Sequence, residues 1–372
     1  MHGGQAGVEL LGRERREFDR LLAQHGLNSA QAARVWRAIY IDGARRFDTI
    51  AELGRQAKST LTAEFTLARP EVHQELRSID GTRKWLIGAG EGTQVETVFI
   101  PHDAQGSLCV SSQIGCTLRC SFCRTGTQPL MKNLTAAEIV AQIMVARDRL
   151  NDWDRARERR VVSSVVMMGM GEPLYNYPAV ATALKVAMDP EGLGLSKRRI
   201  VLSTSGVVPF IERCGFELGV ELAISLHAVD DALRDELVPI NRKWPIATLL
   251  EAVRRYPSLR NTRRVLFEYV MLRGVNDSDA EARQLTRLLR GIPAKVNVIP
   301  FNPWPGSAYR SSSPQRIDAF VEIVRSAGIA CPVRETRGRD ILAACGQLHS
   351  AHSTAHQRVH RPRPDPDRSD TA

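Results

Sequence analysis

The chain has 372 residues, 43% hydrophobic and 25% charged, the balance of a globular protein with two or three units or one large core carrying an attachment. Lysine and arginine total 51 against 41 aspartates and glutamates, and the pI is near 9.5. That excess points to an anionic partner, nucleic acid first, although an arginine-rich genome would produce it too. No apolar run reaches the ~18 residues of a membrane span, and MHGGQAGVELLGRERREFDR lacks the apolar stretch of a signal peptide, so a cytoplasmic protein with no membrane partner is expected.

Residues 1 to about 75 read as an arginine-rich helical region, because FDRLLAQHGL and SAQAARVWRAIYIDG repeat their apolar residues at intervals of three and four. In RKWLIGAGEGTQVETVFIP, apolar runs at 85–87 and 95–100 flank a glycine-rich turn at 88–92, which predicts a β-hairpin. Six short β-rich runs follow from Leu108: LCVSSQIG, VVSSVVMMGM, RIVLSTSG, ELAISLHA, RVLFEYVML and KVNVIPFNP. Helical stretches separate them. TAAEIVAQIMVARDRL opens on a capping box, Thr135 with Glu138, and PAVATALKVAM, PIATLLEAVRRY, DAEARQLTRLLRG and PQRIDAFVEIVRSAG follow. Repeated β–α units predict a parallel α/β sheet, open or closing part of a barrel, with chemistry at the C-terminal ends of the strands. The tail from about His349 is rich in Pro, Arg, His, Ser and Asp and is expected to be disordered.

Seven cysteines are present, and four crowd between positions 109 and 123; the others are Cys214, Cys331 and Cys345. In a reducing compartment such a group reads as metal ligands or catalysts rather than a disulfide framework. Cys116-Thr-Leu-Arg-Cys120-Ser-Phe-Cys123 follows the first strand with the spacing C-x3-C-x2-C. Three thiolates so placed can bind three irons of a 4Fe–4S cluster and leave the fourth open to S-adenosylmethionine, as in radical S-adenosylmethionine (radical SAM) enzymes. A structural zinc site would use four ligands, often as paired C-x2-C units, and Cys109 lies seven residues upstream on a strand.

Other polar groups stand at the predicted strand ends. Gly169-Met-Gly171-Glu172-Pro173 ends the second strand, Ser203 and Ser205 the third, Ser225, Leu226 and His227 the fourth, and Asn302 the sixth. Each alone reads as a turn, cap or core residue. Together they outline a cofactor pocket, where glycines admit the ligand and Glu172 can accept from an amino group.

CVSSQIGCTLRCSFCRTGTQ, MMGMGEPLYN, LSTSGVVP, ISLHA, LVPINRKW, GVNDS, IPFNPWPG and TRGRDILAACGQL together resemble the RlmN family of dual-specificity RNA methyltransferases, sisters of the Cfr enzymes, over roughly residues 10 to 350. The resemblance implies a partial (β/α)6 radical-SAM barrel over 108–348. It also implies a helical RNA-binding accessory domain over 1–75, a β-hairpin extension over 76–107 and a disordered tail over 349–372. The implied reaction is methylation of C2 of adenosine 2503 in 23S rRNA and adenosine 37 in some tRNAs. Cys345 would carry the methyl group, Cys109 would resolve the intermediate through a transient disulfide, and Glu96 would accept a proton. Without the resemblance, Glu96 reads as a surface residue of the hairpin.

By the same resemblance Cys116, Cys120 and Cys123 hold one 4Fe–4S cluster, and Gly171, Glu172, Ser203, Ser225, Leu226, His227 and Asn302 bind S-adenosylmethionine. Two molecules of the latter are used per turnover, a flavodoxin-type protein donates the electron, and the enzyme is a monomer. Cys214 and Cys331 are read as structural. Two alternatives stand beside this one: a Cfr-like enzyme methylating C8 of the same rRNA adenosine, and a non-enzymatic RNA-binding protein with a structural metal knot.

Overall fold

The computed structural model describes residues 8–154, 160–257, 259–260 and 262–350. At the N-terminus a short strand β1 (Val8–Glu9) precedes helices α1 (Arg15–Gln24), α2 (Ser29–Tyr40) and α3 (Arg55–Glu64), and pairs in parallel with β2 (Phe65–Thr66). The side chain of Asn28 accepts from Gln31 N and the Gln31 side chain from Asn28 N, a capping box that starts α2. Phe18, Trp36 and Tyr40 fill the space between α1 and α2, with ring centroids 5.0 and 4.5 Å apart along the row.

The main sheet begins with an antiparallel meander: β3 (Val72–Arg77), β4 (Arg83–Gly88), β5 (Gln94–His102) and β6 (Gln105–Cys109). A small hairpin, β7 (Gln113–Ile114) with β8 (Lys132–Asn133), leads to α4 (Ala136–Arg149). Then come β9 (Val162–Met167), α5 (Tyr177–Met188), β10 (Ile200–Thr204), α6 (Val208–Glu217) and β11 (Glu221–Ser225). They are followed by α7 (Asp231–Leu237), α8 (Ile246–Arg254), β12 (Val265–Met271), α9 (Asp279–Leu288), β13 (Ala294–Pro300) and α10 (Pro314–Ser326). Among the described residues these make one nine-stranded sheet, ordered β13-β12-β11-β10-β9-β6-β5-β4-β3. β6 and β9 to β13 pair in parallel, so all six send their C-terminal ends to one rim, as a partial (β/α)6 barrel requires.

All six predicted strand runs, the hairpin and the five predicted barrel helices are present, including the Thr135–Glu138 capping box. Several elements differ from the sequence reading, the short strands β1 and β2 within the stretch read as helical among them. β3 begins inside the stretch read as helical and runs past its expected end, because VHQELR has no buried alternating face to mark it. Helix α6 was hidden by Pro209 and Gly215; the glycine is needed because a Cβ there would lie 2.3 Å from Pro257 Cδ. Helix α7 is only seven residues long. The hairpin is an extension of the barrel sheet itself, since β5 pairs directly with β6.

The helical unit docks on the barrel through α4 and the end of α5. Trp36 Nε1 donates to Asp189 Oδ1 at 3.3 Å, and Arg147 NH1 to the Tyr40 carbonyl at 3.3 Å. Gly12 adopts φ +73, and any Cβ there would lie 2.3 Å from Ala137 N.

One irregular segment closes the open side of the sheet. It first runs beside β13, where Val296 N donates to Ala330 O at 2.9 Å, Val298 N to Pro332 O at 3.0 Å and Arg334 N to Val298 O at 2.8 Å. It then crosses to the meander, where Gly338 N donates to Asp80 Oδ2 at 2.8 Å and Lys84 Nζ to Leu342 O at 3.1 Å. Its end is held by His349 N, which donates to Glu96 Oε2 at 2.7 Å. Lys84 Nζ and Glu96 Oε1 are 2.8 Å apart, with their side chains 9% and 8% exposed. His349 and Ser350, the first two residues of the expected tail, are instead held in place: His349 N is bonded to Glu96, and Ser350 is fully buried against Met170. Residues 351–372, the rest of that expected tail, lie outside the described residues. No helix among the described residues is long and apolar enough to cross a membrane.

Replacing Lys84 by Met is expected to leave the Glu96 carboxylate buried without a cation, at a cost of about 3–5 kcal/mol. A lowered urea midpoint, largely restored by adding Glu96→Gln, is the result to look for.

Candidate active site

The parallel register gathers the predicted strand-end residues on one rim, where Gly171, Glu172, Ser203, Ser205, Ser225 and His227 line a cavity together with Cys116, Cys120, Cys123 and Cys345. The 116–123 loop leaves β7 through Gly115, whose φ is +77 and whose Cβ would lie 1.9 Å from Pro129 O. It is clamped from several sides. Ser121 N donates to Leu237 O at 3.1 Å, Arg124 N to Gly346 O at 2.8 Å and Trp304 Nε1 to Phe122 O at 3.0 Å. The Phe122 ring meets the His227 ring edge-on at 4.7 Å.

All seven cysteines are free thiols. Burial pushes the Cys116 thiol up to about 12 and raises Cys120 and Cys123 as well; Cys120 is raised further by Cys123 and Cys116. Three desolvated thiols that oppose one another's ionisation form a donor set that a cationic group satisfies. This fits the 4Fe–4S cluster that the radical SAM family carries, together with S-adenosylmethionine.

Beside that wall, Gly171 adopts φ +93 and sits against Gln113, with no room for a Cβ. Glu172 is buried; Oε1 accepts from Leu174 N at 3.0 Å and Oε2 from Ser205 N at 2.8 Å. Burial lifts its carboxyl to about 7, against those two donors. Ser203 and Ser225 line the cavity directly. His227 has φ 61, and its Nδ1 accepts from Val270 N at 3.1 Å, which leaves the proton on Nε2. Burial and then Arg234 depress its pKa to about 3, so the ring is neutral.

Two predicted cofactor residues are not on the cavity wall. Leu226 is fully buried, its N donating to Glu268 O at 3.1 Å and its carbonyl accepting from Arg234 Nε at 3.0 Å. Asn302 holds the segment behind Cys345: Nδ2 donates to Cys345 O at 3.3 Å, and Oδ1 accepts from Thr336 Oγ1 at 3.0 Å.

The remaining cysteines divide the same way. Cys109, the last residue of β6, has its thiol pushed up to about 12 by burial and then by Cys345. Cys214 packs against the Tyr256 hydroxyl and Cys331 is buried beside β13; neither lines the cavity. Glu96 is buried rather than on the hairpin surface. Thr97 faces α4 through Gln142, so Glu96 and Val98 face the other way, and Val98 is paired with Cys109. Glu96 thus shares the inner face with Cys109, but it lies off the cavity wall, bonded to Lys84 and His349 N.

Two arginines were missed from sequence. Arg234, fully buried, bonds Leu226 O, Ser225 O, Ser205 O and Asn241 Oδ1, and so ties the rims of β10 and β11 together. In DALRDEL it looks like an exposed helix charge. Arg334 lies among Cys345, Glu268 and Cys109, and their influence raises its pKa against the effect of burial. Its only sequence signal is its place just before the TRGRDILAACGQL motif.

Residues 110–285 match the model of the radical SAM superfamily. The dual-specificity RNA methyltransferase RlmN of Bradyrhizobium sp. strain BTAi1 is 56% identical over 358 residues, covering 93% of this chain and 89% of that protein. The RlmN of Methylorubrum extorquens strain PA1 is 59% identical over 335 residues, 86% of this chain and 79% of that protein. A crystal structure of a radical SAM methyltransferase from Sphaerobacter thermophilus is similar with a TM-score of 0.85 and 41% identity, covering 92% of this chain and 99% of that one. With more than half of its residues shared across most of the length of such relatives, and a parallel barrel presenting three thiols at its rim, the chain belongs to the RlmN family of radical SAM RNA methyltransferases.

Proposed function

We propose that this enzyme methylates C2 of adenosine 2503 in 23S rRNA and adenosine 37 in certain tRNAs, with the incoming carbon carried on Cys345. The observation that carries this reading is the position of Cys345: it lines the same cavity as the three-thiol loop, and its thiol is felt by Cys109. The names of the relatives support RNA as the substrate class.

Cys116, Cys120 and Cys123 hold the cluster, and Gly171, Glu172, Ser203, Ser225 and His227 face its cofactor. Bound there, the cluster and S-adenosylmethionine supply one-electron cleavage of a sulfonium and hence a hydrogen-abstracting radical. The protein's part follows from the electronics of the base. C2 of adenine is electron-poor and does not attack a sulfonium methyl, whereas the Cys345 thiolate does. A second S-adenosylmethionine is needed because the methyl on sulfur must lose a hydrogen before its carbon can bond to C2. Protein and RNA are then covalently joined. The adduct would lose one electron, equivalent to the one spent on cleaving the sulfonium, and its C2 proton to Glu96. The Cys109 thiolate would then attack the Cys345 sulfur, the sulfur–carbon bond breaking with its pair on carbon, which takes a proton to become the product methyl while the two sulfurs are left as a disulfide.

Asn302 and the backbone bond from Arg124 N to Gly346 O hold Cys345 in place until the exchange. A flavodoxin-type donor, a cytoplasmic site of action and a monomeric state complete the reading. The helical N-terminal unit assists RNA binding. Arg13, Arg15, Arg34, Arg45, Arg46 and Arg69 are each paired with a carboxylate, so phosphate contacts fall to its other basic residues.

Nucleoside mass spectrometry of rRNA and tRNA, from cells with and without the gene, tests the reaction. Loss of 2-methyladenosine is expected, and 8-methyladenosine as the sole product would establish the Cfr-like alternative instead. Cys109→Ala is expected to purify with covalently attached RNA, because addition survives and resolution does not; free protein with normal turnover would contradict it. Cys345→Ala is expected to abolish methylation while keeping its iron, and loss of iron in that variant would mean that Cys345 is a ligand.

A further inference from the structure

A second cavity adjoins the first at Cys345. The two share Met168, Glu268, Ile299, Arg334 and Cys345, but no residue of the 116–123 loop is on the wall of the second. It is lined by Val166, Val201 and Leu266 of the strands together with polar groups such as Ser107, Lys295 and Arg337. At the level where the cavities meet, strand register sets three polar residues abreast: Ser225 pairs with Glu268, and Glu268 with Asn297. Glu268 is 3% exposed. Its Oε2 accepts from Asn297 Nδ2 at 2.8 Å, while Oε1 is buried with no hydrogen-bond partner. A buried carboxylate oxygen with no donor is costly, and a native fold keeps one where a ligand supplies the donor.

We propose that Glu268 reads the amino edge of the target adenine, its free oxygen accepting a hydrogen bond from the 6-amino group while the base lies in the second cavity against Cys345. This rests on the reading of Cys345 as the methyl carrier. The carbon on Cys345 must touch the carbon it joins, so the base lies against Cys345. The three thiols claim the first cavity for the cofactor, which leaves the second for the base. A base drawn out of its stack is read by hydrogen bonds to its edge. A carboxylate oxygen accepts from a 6-amino group and repels a 6-oxo group, so the same contact rejects hypoxanthine and guanine. Burial raises the Glu268 carboxyl above its ordinary value, and Arg334 and the bond from Asn297 oppose that rise.

The test uses full-length reconstituted enzyme and RNA hairpins carrying adenosine or inosine at the target position. The wild type is expected to methylate adenosine and to use inosine poorly. In Glu268→Gln the amide can donate to a 6-oxo group, so turnover on adenosine should fall and the inosine-to-adenosine ratio should rise at least about tenfold. Iron content and RNA-free release of 5′-deoxyadenosine should stay at the wild-type level. An unchanged preference in Glu268→Gln would overturn the proposal. So would a parallel loss of RNA-free cleavage, which would assign Glu268 to the adenine of the cofactor. Should the glutamine variant not fold, Glu268→Asp must keep the preference for adenosine, and equal use of both RNAs overturns the idea. A wild type that methylates no adenosine at all would overturn the reading of function, and this inference with it.

Discussion

A carboxylate buried in a barrel has to be neutralised, and Glu96 is neutralised by Lys84. The pair does more than cancel charge. Lys84 donates a further bond to Leu342 O, and Glu96 accepts one from His349 N, so the two ends of the segment around Cys345 are tied to the same ion pair. That segment has little secondary structure of its own, and side-chain contacts hold it in place. The bonds from Asn302 to Cys345 O and from Arg124 N to Gly346 O complete the frame. The position of Cys345 beside the three-thiol loop depends on all of them.

The same segment solves a problem of the open sheet. A six-stranded parallel barrel has an edge at β13 that could pair with another chain. Residues 330–334 cover that edge, and the chain then crosses to the meander at the far end of the sheet. Closing the sheet and delivering the cysteine are therefore one structural act. Its consequence is that Cys345 stands where two cavities meet, one with the three-thiol loop on its wall and the other with Asn297, while Glu268 lines both.

Electrostatics divides the site along the same line. The thiol wall is desolvated and self-repelling, and becomes comfortable only with a cation present. Arg334 sits among Cys345, Cys109 and Glu268, and its own pKa is raised by them. Arg234 has a mechanical role: fully buried, it bonds three carbonyls and one side-chain amide and fixes the rims from which Ser225 and His227 emerge.

Much of this was legible in the chain itself. Period-two runs alternating with capped helices specify a parallel sheet, and such a sheet must present its C-terminal ends together, so Glu172, Ser203, Ser225 and His227 could be placed on one rim before any coordinates. C-x3-C-x2-C after the first strand carries its chemistry in its spacing, because short loops restrict where thiols can go. Other features were invisible because they depend on contacts between residues far apart in sequence. Glu96 looks like a hairpin surface residue until Lys84 and His349 close over it. Arg234 looks like an exposed helix charge until the folded chain buries it against the carbonyls of Ser205, Ser225 and Leu226. Local pattern determined the elements and the thiol loop. Only the tertiary structure decided which buried charges meet and which side of Cys345 each cavity occupies, because burial and long-range pairing leave no periodic mark on the sequence.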